Sequence, residues 1–187
     1  MKAFFASLGL LTDAELQQLD GLLTPRTLAK GEWLIRAGSV CTELVYLRSG
    51  LLRSFYTKDN GEEVTYCLTF PGRLMTAMSS LLTRQPTEEN IQALARCELL
   101  VLRREALEQL YAGSCAWTRV GKLLTEQLYV EMEQRLFALQ KLSAGQRYQQ
   151  LLSQHPDYLQ HVPLHHLASF LGVTPRHLSR LRRERAF

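Results

Sequence analysis

Four side chains near the end of the chain, Arg176, Ser179, Arg180 and Arg183, follow one another at intervals of three, one and three residues. On a helix of 3.6 residues per turn that spacing gathers them on one face, opposite Leu178 and Leu181. Arginine forms paired hydrogen bonds with guanine edges and neutralises phosphates, and serine reaches a base or a phosphate. The chemistry on offer is recognition of duplex DNA. A charged helix face resting in water is the competing explanation, and the elements that hold these residues decide between the two.

Pro163 to Glu184, PLHHLASFLGVTPRHLSRLRRE, reads as two short helices around Leu171-Gly172-Val173. Leu164, Leu167, Ala168 and Leu171 form the apolar face of the first helix. Gly172 permits a sharp turn, Thr174 can cap the second helix, and Pro175 suits its first position. Helix, three-residue turn and helix is the geometry that lays a second helix in a major groove. Thr174 and His177, at the start of that helix, complete the candidate DNA-binding set. The charge agrees: residues 141–187 hold seven Lys/Arg against Asp157 and Glu184, a net +5, whereas residues 1–140 are net −1. A basic end on a near-neutral body suits a polyanion. All five histidines also lie in this region, but His165 and His166 are neighbours that point apart on a helix and lack acidic or Cys partners at ligand spacing, so no metal site is expected.

Upstream, Thr12-Asp13-Ala14-Glu15 resembles a capped helix start. From Thr27 to about Arg103 short β-type runs are punctuated by Gly31, Gly38, Gly50, Gly61 and Gly72, which predicts a small antiparallel sandwich or barrel. Asp59-Asn60-Gly61 predicts a tight hairpin with positive φ in a two-residue turn, and LMTAMSSLL a short helix or turn inserted in the barrel. Trp117, Val120, Leu124, Leu128, Met132, Leu136 and Leu139 recur every three or four residues, which predicts one long amphipathic helix. A second copy would cover its stripe, with Trp117, Val120, Leu124 and Leu128 as the expected dimerisation residues. Ser143-Ala144-Gly145 is expected to end that helix through a left-handed glycine. The fold class is therefore α+β: an N-terminal antiparallel β-barrel sensor over 1–110, a linker and dimerisation helix over 111–143, and an all-α helix-turn-helix over 144–187.

The composition, 46% hydrophobic and 21% charged, is that of an ordinary globular chain. No signal peptide is read in MKAFFASLGLLTDAEL, and no window approaches the roughly 18 apolar residues of a membrane span, so no membrane association and a cytoplasmic location are expected. Cys41, Cys67, Cys97 and Cys115 are too widely spaced for a metal pair or a disulfide frame, and buried free thiols are expected. A cupin-type enzyme would need histidine ligands on its strands, and residues 1–140 contain none. Nor is there a GxSxG or P-loop pattern, so catalysis is not expected.

The strands KGEWLIRAG, ELVYLRSGLLRSFY and NGEEV, with RYQQLL and VPLHHLASFLGVTPRHLSRLRRE, resemble the Crp/Fnr superfamily over essentially the whole length. The resemblance implies a cyclic-nucleotide-binding-like barrel, a homodimer on a long helix, and a transcription regulator that binds double-stranded DNA and meets RNA polymerase. Arg176, Ser179 and Arg180 fall on the family's Glu-x-x-Ser-Arg pattern with arginine in the acidic place, so a different base preference is expected. The sequence stops at Phe187, where the family's β-wing would follow, so fewer phosphate contacts are expected. In cyclic-nucleotide binders a Gly-Glu pair and a later Arg-Ser or Arg-Ala hold the ligand. Here Thr76-Ala77 and Thr87-Glu88 stand in those places, and Glu88 and Glu89 would repel a cyclic phosphate. Cyclic AMP binding is not expected. Thr76, Ala77, Met78, Thr87 and Glu88 become the candidate effector pocket for some other small molecule or none, without a cofactor. An interaction module of this fold that no longer binds DNA is the alternative.

Overall fold

The computed structural model describes residues 1–183. Glu184 and Arg185, counted in the C-terminal charge, lie outside them. Two short helices, α1 (Lys2–Ala6) and α2 (Asp13–Leu22), lead into strands β1 (Leu23–Leu28), β2 (Trp33–Ile35), β3 (Glu43–Ser49), β4 (Leu52–Thr57), β5 (Glu63–Thr69) and β6 (Leu74–Met75). Helix α3 (Met78–Thr83) interrupts them before β7 (Asn90–Ala93) and β8 (Cys97–Arg103). The remainder is helical: α4 (Arg104–Gly113), α5 (Cys115–Lys141), α6 (Ala144–Gln154), α7 (Asp157–His161), α8 (Leu164–Leu171) and α9 (Pro175–Arg183).

The strands do not close into the expected barrel. They form two four-stranded sheets, ordered β1-β8-β3-β6 and β2-β7-β4-β5. β2 has three residues and β6 two, too few to carry a continuous ladder around a ring. β8 is the central partner of the first sheet, antiparallel to β1 from Leu23↔Leu102 to Leu28↔Cys97 and to β3 from Glu43↔Arg103 to Ser49↔Glu98. The β4–β5 hairpin turns at Asn60-Gly61 as expected, but by a different geometry. The Gly61 N–H donates to the Lys58 carbonyl at 2.9 Å, and the Lys58 N–H to the Glu62 carbonyl at 2.9 Å. Gly61 has φ 83° while Asn60 stays at negative φ. This is a four-residue turn closed by a left-handed glycine, where only Gly61 needs its missing Cβ.

By contacts the chain divides into two units, Met1–Ser54 with Leu68–Glu126, and Phe55–Cys67 with Gln127–Phe187. In the first, Phe5, Leu16, Leu19, Leu44, Leu102, Leu107, Leu110, Trp117 and Val120 form a buried cluster. The Phe5 and Trp117 rings meet edge-on at 5.2 Å, and each fully buried side chain of this size contributes roughly 1.5–3 kcal/mol. Thr12 starts α2 with a capping box: its hydroxyl accepts from the Glu15 N–H at 3.3 Å, and its own N–H donates to the Glu15 carboxylate at 2.8 Å. Ser114, at the break between α4 and α5, donates to the same carboxylate, and this bond does most to hold the Glu15 carboxyl below its usual range.

In the second unit α5 ends at Lys141 for a reason other than the one expected. Gly145 lies inside α6, and it is Ser143 that separates the helices by capping α6. Its hydroxyl accepts from the Gln146 N–H at 3.3 Å while its N–H donates to Oε1 of Gln146 at 2.9 Å.

Candidate nucleic-acid interface

The turn between α8 and α9 follows from three residues. Gly172 takes the left-handed conformation at φ 67°, its N–H bonding the Ser169 carbonyl while the Val173 N–H reaches the Ala168 carbonyl, each at 3.0 Å. That pair of bonds satisfies the last carbonyls of α8 and turns the chain. Thr174 then caps α9, its Oγ1 accepting from the His177 N–H at 3.2 Å, and Pro175 supplies a first residue with no N–H to satisfy.

On α9, Leu178 and Leu181 are buried, as are Leu167, Ala168 and Leu171 of α8. Arg176, Arg180 and Arg183 are exposed, as are Thr174 and Pro175, while His177 and Ser179 are half-buried. The six candidate DNA-binding residues thus sit at one capped helix, with Arg176, Arg180 and Arg183 in solvent and Arg182 half-buried. His165 and His166 do not point apart as expected: their rings lie tilted at 49° with centroids 3.9 Å apart, and among the described residues no group of three metal-ligating side chains comes together.

Three residues that position the helix pair were not singled out in the sequence. Arg135 of α5 lies 3.8 Å over the Phe170 ring and donates to the Phe170 carbonyl at 2.8 Å. Burial, more than any other influence, lowers its pKa. Arg147 of α6 donates to the Leu171 carbonyl at 2.9 Å and to the Leu142 carbonyl at 2.6 Å, bridging the ends of α8 and α5. Ser169 accepts from the Thr65 N–H at 2.9 Å and donates to the Glu63 carbonyl at 3.2 Å. β5 is the edge strand of its sheet, so Ser169 occupies backbone groups that would otherwise be left without a ladder partner. The sequence signals were weak: an arginine on a helix flank, and a serine on the polar side of α8.

The expected dimerisation residues differ in exposure within one protomer. Trp117 and Val120 are each 1% exposed within one protomer, inside the cluster around Phe5, and Leu124 packs against that cluster. Leu128 is half-buried. The apolar faces of Trp117, Val120 and Leu124 are covered by α1, α2 and α4 of the same chain. Exposed apolar side chains lie further along α5, Val130 and Phe137 among them, and four of these form a row: Tyr129 (67% exposed), Met132 (50%), Leu136 (52%) and Leu139 (40%). They alternate at intervals of three and four residues, the period of a two-helix seam.

In the first unit a cavity of about 480 Å³ is lined by β2, the loop from Ser39 to Thr42, Glu43 and Val45 of β3, Thr76, Ala77 and Ile91. Of the candidate effector residues, Thr76 and Ala77 line it and Met78, Thr87 and Glu88 do not. Thr87 is committed through its backbone, its N–H bonding the Ser39 carbonyl at 2.9 Å and its carbonyl the Gly38 N–H at 2.7 Å. Glu88 points into solvent, and the neighbouring Glu89 carboxyl is pushed up to about 7 by burial. Cys41 is buried, its thiol 3.2 Å from Thr76 Oγ1, and Cys115 is exposed, so the thiols are free but not all buried.

Residues 25–114 match the cyclic nucleotide-binding domain family. No curated protein matches the chain. Among solved structures, FixK2 from Bradyrhizobium japonicum is 16% identical, with 87% of this chain and 83% of that one covered at a TM-score of 0.77. The c-di-GMP-responsive global regulator CLP from Xanthomonas campestris is 19% identical, covering 92% and 91%, with a TM-score of 0.70. A regulator from Eubacterium rectale, assigned to the Crp/Fnr family, is 18% identical, covering 97% and 87%, with a TM-score of 0.72. Among the described residues no helix is long and apolar enough to cross a membrane. Residues 25–114 are thus similar to the cyclic nucleotide-binding domain family, and the chain shares the fold of these solved structures.

Proposed function

We propose that this chain is a cytoplasmic, dimeric, DNA-binding transcription regulator of the Crp/Fnr type that acts with RNA polymerase and does not respond to cyclic AMP. One observation carries the DNA-binding reading: α9 buries Leu178 and Leu181 and leaves Arg176, Arg180 and Arg183 in solvent behind a glycine turn and a threonine cap. A helix so anchored presents guanidinium groups to guanine edges and phosphates without reorganising. Pairing through Tyr129, Met132, Leu136 and Leu139 would give two copies of it, as consecutive major grooves require.

The absence of a cyclic AMP response is supported by Thr76-Ala77 and Thr87-Glu88, which put no cation at the positions that hold the ligand in cyclic-nucleotide binders. A sub-micromolar calorimetric constant for cyclic AMP would overturn that part.

The test of DNA binding is fluorescence anisotropy on the native upstream region across a salt series, with Arg176→Ala, Arg180→Ala and Arg183→Ala. Each phosphate contact contributes about 0.9 to the slope of log K against log [salt], so losing one in each half of a dimer lowers the slope by about 1.8. An arginine that reads a base relaxes discrimination by about 1–3 kcal/mol at that position. Salt-insensitive or absent binding would leave the interaction-module alternative standing.

A further inference from the structure

The cavity in the first unit has polar walls, but nearly all of its polar groups are already engaged. The Thr76 hydroxyl donates to the Glu43 carbonyl at 2.7 Å, and the Cys41 thiol lies 3.2 Å from that hydroxyl and 3.4 Å from the same carbonyl. The Glu43 carboxylate is held by both ends of the Arg26 guanidinium at 2.6 and 2.7 Å, which cancels its charge. Backbone donors of the rim are committed as well. The Ala37 N–H goes to Asn90, Gly38 to the Thr87 carbonyl, Ser39 to the Arg36 carbonyl and Cys41 to Ser80. One charged group remains. The Arg36 guanidinium lies 5.0 Å over the Trp33 ring, and among the described residues no carboxylate pairs with it. Opposite this single cation the walls are apolar, with Ala77 and Ile91 wholly buried and Val45 beside them.

We propose that this cavity binds a small monocarboxylate, its compact apolar body against Ile35, Val45, Ala77 and Ile91 and its carboxylate paired with Arg36. One guanidinium matches one negative charge through two parallel hydrogen bonds. A phosphate would call for several further donors, and the Ala37, Gly38, Ser39 and Cys41 N–H groups around the rim are already bonded. Trp33 presents an aromatic face that favours the guanidinium and limits its excursions, so the cation is placed before the ligand arrives. The volume of about 480 Å³ falls in the range of small-molecule sites. This inference concerns the first unit alone and stands or falls independently of DNA binding.

The experiment is isothermal titration calorimetry of the full chain with butyrate, phenylacetate and indole-3-acetate, each compared with its neutral amide, on the native protein and on Arg36→Gln. Arg36 is exposed, so the variant folds. At least one acid is expected to bind more than about tenfold tighter than its amide, and Arg36→Gln to remove that difference while leaving the amide unchanged. Phenylacetate should also alter the fluorescence of Trp33, and Trp33→Phe should abolish the change, because Trp117 is sealed in the core. Binding by none of the three acids, equal affinity for acid and amide, or an acid affinity untouched by Arg36→Gln each overturns the proposal.

Discussion

Replacing Leu136 with glutamate tests the proposed seam on α5. Leu136 is 52% exposed in the single chain, so it contributes little to the protomer's own stability. Burying that exposed half against a second copy removes roughly 100 Å² of apolar surface per subunit, about 2.5 kcal/mol at about 25 cal/mol per Å². The change occurs twice in a symmetric pair, and a buried carboxylate adds its own desolvation cost. Leu136→Glu therefore weakens the dimer by at least about 5 kcal/mol, a factor of several thousand in dissociation constant. Sedimentation velocity at about 10 µM should show the native protein at twice the 21.4 kDa chain mass and the variant at the chain mass. The thermal transition of the first unit should not move. The control is Val120→Glu, which strikes a 1% exposed residue and should unfold that unit rather than split a dimer. A monomeric native protein, or a Leu136→Glu variant that remains dimeric, refutes the reasoning.

Other perturbations probe the remaining links. Gly172→Ala places a Cβ at φ 67°, 3.4 Å from Leu139 Cδ2, and should destabilise the C-terminal unit by about 1–2 kcal/mol in denaturant titrations; an unchanged midpoint would contradict the strained turn. Arg135→Lys loses the planar stacking on Phe170, and faster amide exchange in α8 is expected, with unaltered exchange counting against the positioning role. Burial raises the Glu89 carboxyl to about 7. A carboxyl raised on folding favours the folded state below its unfolded value of about 4.5, and that contribution is lost as pH rises through about 7. The native protein should therefore lose stability relative to Glu89→Gln between about pH 5 and about pH 8, and parallel urea midpoints at the two pH values would contradict it.

Local signals were the legible ones. Thr12 with Glu15, Thr174 with Pro175, and the Gly61 turn depend on neighbours three or four residues away, so the chemistry of a short window determines them. The arginine face of α9 was legible for the same reason, since helical spacing alone places it opposite Leu178 and Leu181. The α5 stripe was legible as a stripe but not in its use. Residues 117–124 and 129–139 carry the same periodicity, and only the packing of Phe5, Leu19 and Leu110 shows that the chain itself covers the first stretch. Two open sheets rather than a barrel depend on strand ends pairing over long separations, as in Glu43↔Arg103. The Arg36 cavity was hidden because its character depends on bonds that occupy the competing groups, Arg26 on Glu43 above all.

Guanine methylation interference on the native upstream DNA tests the central claim most directly, because methylation at N7 blocks the atom an arginine in the major groove would contact. Two clusters of interfering guanines are expected, centred about 34–36 Å apart, one helical turn, with the contacts of both clusters weakened by Arg176→Ala. Binding that is indifferent to N7 methylation, or a single cluster without a symmetric mate, would contradict a paired recognition helix.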